Sequence, residues 1–233
     1  NRYLDTYKFY DTTELILKAE TDQVITAGVG AGGAAIAGAK SGLGLAGAGS
    51  GGNAINMVAV HPKAYINGSD ANSLHVAEFD IDAIDNSTIN ATAGSAALAA
   101  SLAPKGGGAL SISGAVARNE INNEVFAYIT NIGSSSQPAY FSNNSSIHAT
   151  ETASIESTAV AATLAVGIGK VGIALSGAGA DSINIVNNDV RGYMDNVSLQ
   201  ASEATTDLLI NASSESTIRS LTGAVAAAIS GGK

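Results

Sequence analysis

A Tyr followed by Leu, Ile or Met returns four times, as Tyr3-Leu4, Tyr65-Ile66, Tyr128-Ile129 and Tyr193-Met194, at spacings of 62, 63 and 65 residues. Self-similarity at a fixed period marks a repeat architecture, in which each unit buries its apolar face only by stacking on its neighbours. Flanking residues carry the same period. Ile55-Asn56-Met57-Val58 matches Ile183-Asn184-Ile185-Val186, and Ile121-Asn122-Asn123-Glu124-Val125 matches Val186-Asn187-Asn188-Asp189-Val190. Val24, Ile89, Ile155 and Ile218 form a further anchor, and Leu74-His75, Ile147-His148 and Leu199-Gln200 read as one slot.

The anchors divide the chain into the end of a preceding repeat (1–5), three repeats (6–66, 67–129 and 130–194) and a partial fourth (195–233), one continuous array without separate domains. Because both ends fall inside units, the chain reads as a window of a longer array, or as a processed subunit whose open ends are filled by neighbouring copies.

Composition narrows the fold class. Of 233 residues 27 are Gly and 3 are Pro, Cys and Trp are absent, and charged residues make up only 13%. That is about half the charged share of an ordinary globular domain. Alternation at period two, as in Leu110-Ser111-Ile112-Ser113 and Phe79-Asp80-Ile81-Asp82, indicates strands. Gly within the apolar stretches opposes helices, at about 1 kcal/mol per residue relative to Ala. The expected fold is all-β: a repetitive β-solenoid (parallel β-helix) with about three coils of roughly 21 residues in each 64-residue repeat. The alternative is an antiparallel β-hairpin meander or sandwich turning at Pro104–Gly108 and Gly167–Lys170. In the solenoid, inner side chains this small require the opposed sheets to approach closely or the coil to flatten.

Strings such as Ala115-Val116-Ala117-Arg118-Asn119-Glu120-Ile121-Asn122-Asn123, followed by Ala127-Tyr128-Ile129, resemble the Ala/Gly-rich repeats of large bacterial filamentous-haemagglutinin-like surface adhesins. The resemblance covers nearly the whole chain. It implies an extracellular β-rich stalk or fibre and carries over no catalytic residues.

Candidate sites are few. A net charge of −9 argues against nucleic acid as a partner, because a phosphate surface demands clustered Lys and Arg. Two G-x-G-x-x-G strings, Gly28–Gly33 and Gly47–Gly52, lie in runs of Gly and Ala with no helix to follow, so they read as close backbone packing and not as a dinucleotide site. Asp80, Asp82 and Asp85 group hard oxygen ligands suited to calcium, the one cofactor in view. Glu20, Glu78, Glu151 and Glu203 read as an exposed column. With no cysteine and no Ser-His-Asp spacing, the chain reads as non-enzymatic.

Asn67, Asn86, Asn90, Asn143, Asn144, Asn196 and Asn211 each open an N-x-S/T sequon, seven in all. Chance pairing of this composition would give roughly three, so these are candidate glycosylation sites. The apolar stretch 158–180 carries Lys170 near its middle, which opposes a membrane-spanning helix. The expected role is an extracellular structural protein whose main partner is itself. The alternative is an adhesive module that meets a surface glycan or host ligand through the loop near Ser134–Asn144.

Overall fold

The computed structural model describes residues 14–68, 74–202 and 204–232, all in strands and connecting turns. The first coil holds β1 (Glu14–Gly38), β2 (Leu43–Val58), β3 (Lys63–Asn67) and β4 (His75–Val76). The second holds β5 (Glu78–Leu102), β6 (Gly106–Ile121), β7 (Glu124–Ile132) and β8 (Ala139–Phe141). The third holds β9 (Ser145–Ile168), β10 (Gly172–Val186), β11 (Asp189–Val197) and β12 (Leu199–Ala201), and β13 (Leu208–Gly231) opens a fourth.

Like strand stacks on like. Sheet A is β1-β5-β9-β13, sheet B is β10-β6-β2, sheet C is β11-β7-β3 and sheet D is β12-β8-β4. Every pairing is parallel, with Leu15 beside Phe79, Ile81 beside Ile147 and Ile155 beside Ile218. The protein is therefore a parallel β-solenoid, and its register corrects the expected coil count: each repeat is one coil, not three. An offset of one repeat moves a residue directly onto its neighbour in the adjacent coil, about 4.8 Å away.

Side-chain volume explains why the coil is so long and flat. Strands of sheet A run 24 or 25 residues, about 80 Å at ~3.3 Å per residue. The chain then doubles back through sheets B, C and D over the inner face of sheet A. Near the turn the core is almost all alanine: Ala46, Ala99, Ala109 and Ala165, then Ala54, Ala93, Ala115, Ala117, Ala159 and Ala161. Toward the other end it becomes Val58, Ile89, Ile121 and Ile155, then Phe79, Ile81, Val125, Ile129, Phe141 and Ile147. The two layers thus form a wedge, thin at the Gly/Ala end and thick at the aromatic end.

At the thin end backbone meets backbone. A Cβ placed on Gly33 would lie 2.3 Å from the Gly49 carbonyl oxygen, and one on Gly52 would lie 2.7 Å from that of Gly94. The G-x-G-x-x-G strings are therefore strand, and their inward glycines serve close packing.

The turns expected for antiparallel hairpins do occur between β5 and β6 and between β9 and β10. They bring the two strands face to face in different sheets, however, and not edge to edge in one. Small inner residues make the face-to-face arch possible. Two alignments also shift. Ile25, not Val24, stacks on Ile89. His75 pairs with Tyr140, whereas His148 pairs with Asp82, so the two histidines occupy different columns. Repeats cut at Tyr divide each coil within sheet C, because the Tyr column lies in the third strand. Tyr3 lies outside the described residues.

Outer faces divide along the strand. On sheet A the first half carries Lys18, Glu20, Asp22, Asp80, Asp82 and His148, while the second half carries Ile36, Leu98, Leu102, Val160, Ile168 and Val225. Sheet B exposes Leu43, Leu45, Leu110, Ile112, Ile173 and Leu175 at the turn end, and Ile55, Met57, Ile183 and Ile185 at the other, beside Arg118 and Glu120.

The inner and outer glycines give a paired prediction. Gly52→Val forces the layers apart and should lower unfolding free energy by about 1–3 kcal/mol. Gly47→Val adds a Cβ with nothing within 4 Å, and should leave stability unchanged or raise it by up to ~1 kcal/mol. Urea unfolding of the two variants checks both.

Candidate functional site: rung ladders and a buried carboxylate pair

Because each coil repeats the last, identical side chains stack in columns along the solenoid axis. On the outside of sheet C, Tyr65, Tyr128 and Tyr193 form a continuous ring stack, with centroids 5.0 and 4.9 Å apart and interplanar angles of 8° and 10°. Burial, then the neighbouring Tyr193 and Tyr65 phenols, raise the Tyr128 pKa above its ordinary 10.0. In the same sheet Lys63 Nζ lies 4.7 Å from the Phe126 ring centroid and Arg191 Cζ lies 5.4 Å from it.

Asparagine ladders run beside the rings. Asn56 Nδ2 donates to Asn119 Oδ1 and Asn119 Nδ2 to Asn184 Oδ1, both at 2.8 Å, inside sheet B. Asn196 Nδ2 donates to Asn131 Oδ1 at 2.9 Å, and Asn131 Nδ2 to Asn67 Oδ1 at 3.1 Å, at the surface. Asn131 and Asn196 hold this geometry with φ of 56° and 53°, the left-handed region that Asn tolerates better than most side chains. Asn131 opens no sequon, so no sequence motif singled it out. Its hydrogen-bond partners Asn67 and Asn196 do.

All seven sequon asparagines lie on outer faces or turns. Asn67, Asn86, Asn143, Asn144, Asn196 and Asn211 are exposed and Asn90 is half-buried. Asn67 and Asn196 commit part of their amides to the ladder.

The calcium grouping is separated by strand alternation. Asp80 and Asp82 face outward on β5, whereas Asp85, an odd number of residues on, points into the core and is fully buried. Asp80 accepts a hydrogen bond from Ser146 Oγ. Partial burial, then the Asp82 carboxylate, raise its pKa above the ordinary 3.8, with Glu14 adding to the rise and His148 opposing it. No group of three or more His, Cys, Asp or Glu converges as a metal-binding set among the described residues. The expected Glu column is also dispersed. Glu20 pairs with Ile84 and Glu78 with Glu14, Glu151 is buried beside Asp85, and Glu203 lies outside the described residues.

Sequence reasoning thus missed the most unusual chemistry in the core. Asp85 and Glu151, register neighbours on β5 and β9, are two carboxyl groups with no solvent exposure. Asp85 Oδ1 accepts from Thr21 Oγ1 at 2.6 Å, and Oδ2 from Asn123 Nδ2 at 2.6 Å and Ser87 Oγ at 2.9 Å. Glu151 accepts from Asn188 Nδ2 and Ser214 Oγ, both at 2.5 Å. Asn123 and Asn188 come from the segments where sheet B passes into sheet C, so the cluster ties the two layers together at mid-strand. Every carboxylate oxygen has a protein donor. The available signal was the period itself: Asn123-Glu124 against Asn188-Asp189 marks an inward Asn in two successive coils.

Among the depressions of the described surface, one is lined by Arg191, Gly192, Tyr193 and Ala212 and another by Glu78, Asp80, Asn144, Ser146 and Asp207, both open to solvent. Gly133–Gln137 closes a tight turn through reciprocal backbone bonds between Ser134 and Gln137. No helix among the described residues is long and apolar enough to cross a membrane. Comparison with protein families, with curated proteins and with solved structures finds no match to this chain.

Two predictions follow from the columns. Desolvation raises the Glu151 pKa above its ordinary 4.5, with the Asp85 charge acting in the same sense and the Ser214 and Asn188 bonds opposing it. As pH rises above about 4.5, the unfolded chain releases this proton before the folded chain does, so stability falls through that window and the penalty persists above the folded pKa. Glu151→Gln should flatten the decline and raise the melting temperature at pH 7, measured by thermal scans from pH 4 to 8. Tyr128→Ala removes two ring contacts and should destabilise by about 1–3 kcal/mol, more than Tyr65→Ala, which removes one among the described residues.

Proposed function

We propose that this chain is an extracellular structural element, a segment or subunit of a fibre, stalk or surface matrix, that works by stacking coil on coil. The observation that carries this reading is the one-repeat register. Each ladder presents, at the edge of the stack, the same groups it uses inside. Among the described residues β1 and β13 each have one unpaired edge in sheet A. Asn56 Oδ1 stands where the next amide of its ladder would donate, and among the described residues the Tyr65 and Tyr193 rings each stack on one side only.

Unpaired N–H and C=O groups in a flat strand recruit further strands. A coil arriving at either edge, from a longer chain or another copy, would extend four hydrogen-bonded sheets and several ladders at once. The polar ladders also set register, because a slip by one residue would turn every inner Ala and Ile outward. The surface position of the sequons fits a chain that carries sugars, and the net charge of −9 fits one kept soluble by self-repulsion. Concentrated purified protein should form unbranched filaments by negative-stain electron microscopy, with a reflection near 4.8 Å along the fibre axis. Particles that stay single and short at every concentration would overturn the reading.

A further inference from the structure

On the outer face of sheet A, the half nearest the turns is apolar from one edge to the other. Its columns are Gly30-Gly94-Val160-Gly223, Gly32-Ala96-Ala162-Val225, Ala34-Leu98-Leu164-Ala227 and Ile36-Ala100-Val166-Ile229. Ile36 is 81% exposed, Leu102 63% and Val225 66%. From the Gly30 column to the Gly38 column, across four strands, the patch measures roughly 26 by 19 Å, about 500 Å². That is as large as the largest apolar patch of a typical soluble monomer, and patches of that size often mark an interaction site. Pairing two such patches buries about 1,000 Å² in total, the lower bound for a specific interface, before the flanking polar columns are counted.

The outer glycines point the same way. A Cβ on Gly28, Gly30, Gly32 or Gly223 would meet nothing within 4 Å, so nothing inside the chain requires glycine there. An opposing sheet that approaches as closely as the inner layers do would require it.

Charge marks the limits of the patch. Between Asp22 and Lys63 the only charged residue is Lys40, between Asp85 and Arg118 only Lys105, and between Glu156 and Asp181 only Lys170. These three exposed lysines line up on the turns, one per coil. At the other limit of the patch lie Asp22, Glu156 and Glu215, with Arg219 the one cation among them. Superposing two patches with strands antiparallel brings the lysine row of each copy to the other copy's Asp22–Glu156 limit, with Lys170 near Glu156 and Lys105 near the uncharged Asn90.

We propose that this half-face docks a second copy of the chain, sheet A on sheet A, about a two-fold axis parallel to the solenoid axis. That symmetry reverses the strands and keeps the stacking direction. The contact is isologous and repeats on every coil, so it is compatible with a growing fibre. The inference rests on the reading of the chain as self-associating, but it uses a face where stacking uses edges. A lipid bilayer fits less well, because hydrocarbon would leave the edge backbone of β1 and β13 unsatisfied.

The test compares wild type with Leu98→Lys/Val160→Lys on this face and with Leu45→Lys/Leu110→Lys on sheet B, after circular dichroism establishes that all three fold. Sedimentation and electron microscopy should show wild type and the sheet-B variant two blades thick. The sheet-A variant should be one blade thick, with pair affinity lowered at least a hundredfold. Carbodiimide cross-linking followed by mass spectrometry should join Lys170 of one copy to Glu156 of another. Wild-type filaments one blade thick would overturn lateral pairing and leave stacking intact. Paired particles of fixed short length would support pairing and sink stacking. Pairing lost only in the sheet-B variant, or single chains that float with phosphatidylcholine–phosphatidylglycerol vesicles, would assign the surface elsewhere.

Discussion

Everything in this solenoid depends on parallel hydrogen bonding between coils in a register of one repeat. Once β5 lies on β1 with Glu78 beside Glu14, each later strand is placed by the same displacement. Identical or similar side chains then meet about 4.8 Å apart, the distance at which aromatic rings stack and primary amides bond head to tail. The Tyr stack, the Asn ladders and the apolar columns are all consequences of that single repeat vector. None would survive a slip of one residue.

Within the coil, the governing constraint is inner side-chain volume. A lumen filled by Ala and Gly cannot hold two sheets apart, so they close onto each other and the coil lengthens instead of widening. The wedge thickens only where Phe79, Phe141 and the isoleucines supply volume. At mid-strand the two layers are joined by a buried polar cluster in place of apolar contact. The Asp85 and Glu151 carboxyls are held by hydroxyl and amide donors drawn from different coils and sheets. Such groups add little net stability, but a shifted register would leave them without donors, at the full desolvation penalty of a buried charge. Their contribution is specificity of alignment.

The same alternation that builds the core produces the exterior. A strand buried on one side presents every second residue outward, so composition along the strand becomes a pattern along the surface: acidic and hydroxyl-rich in the first half, apolar and glycine-rich in the second, lysine at the turn. That polarity gives the outer face of sheet A a polar half and an apolar half.

Much of this was legible in the residues. The Tyr period, the matched Asn pairs and the alternating small apolar residues determined a repeating all-β stack whose opposed faces approach closely, because periodicity and side-chain volume are local properties of the chain. The number of coils per repeat was not legible. Sixty-four residues divide into three ordinary coils as readily as they form one long flat coil, and only the pairing of Tyr65 with Tyr128 across adjacent rungs decides it. Nor could spacing alone show that Asp85 turns inward while Asp80 and Asp82 turn outward, or that Glu151 sits beside Asp85 with Asn123 and Asn188 above them. Those contacts join residues 37 and 38 positions apart, from sheet A to the connections between sheets B and C. Tertiary structure decided them because they depend on how two sheets close over one another, a distance that no single strand encodes.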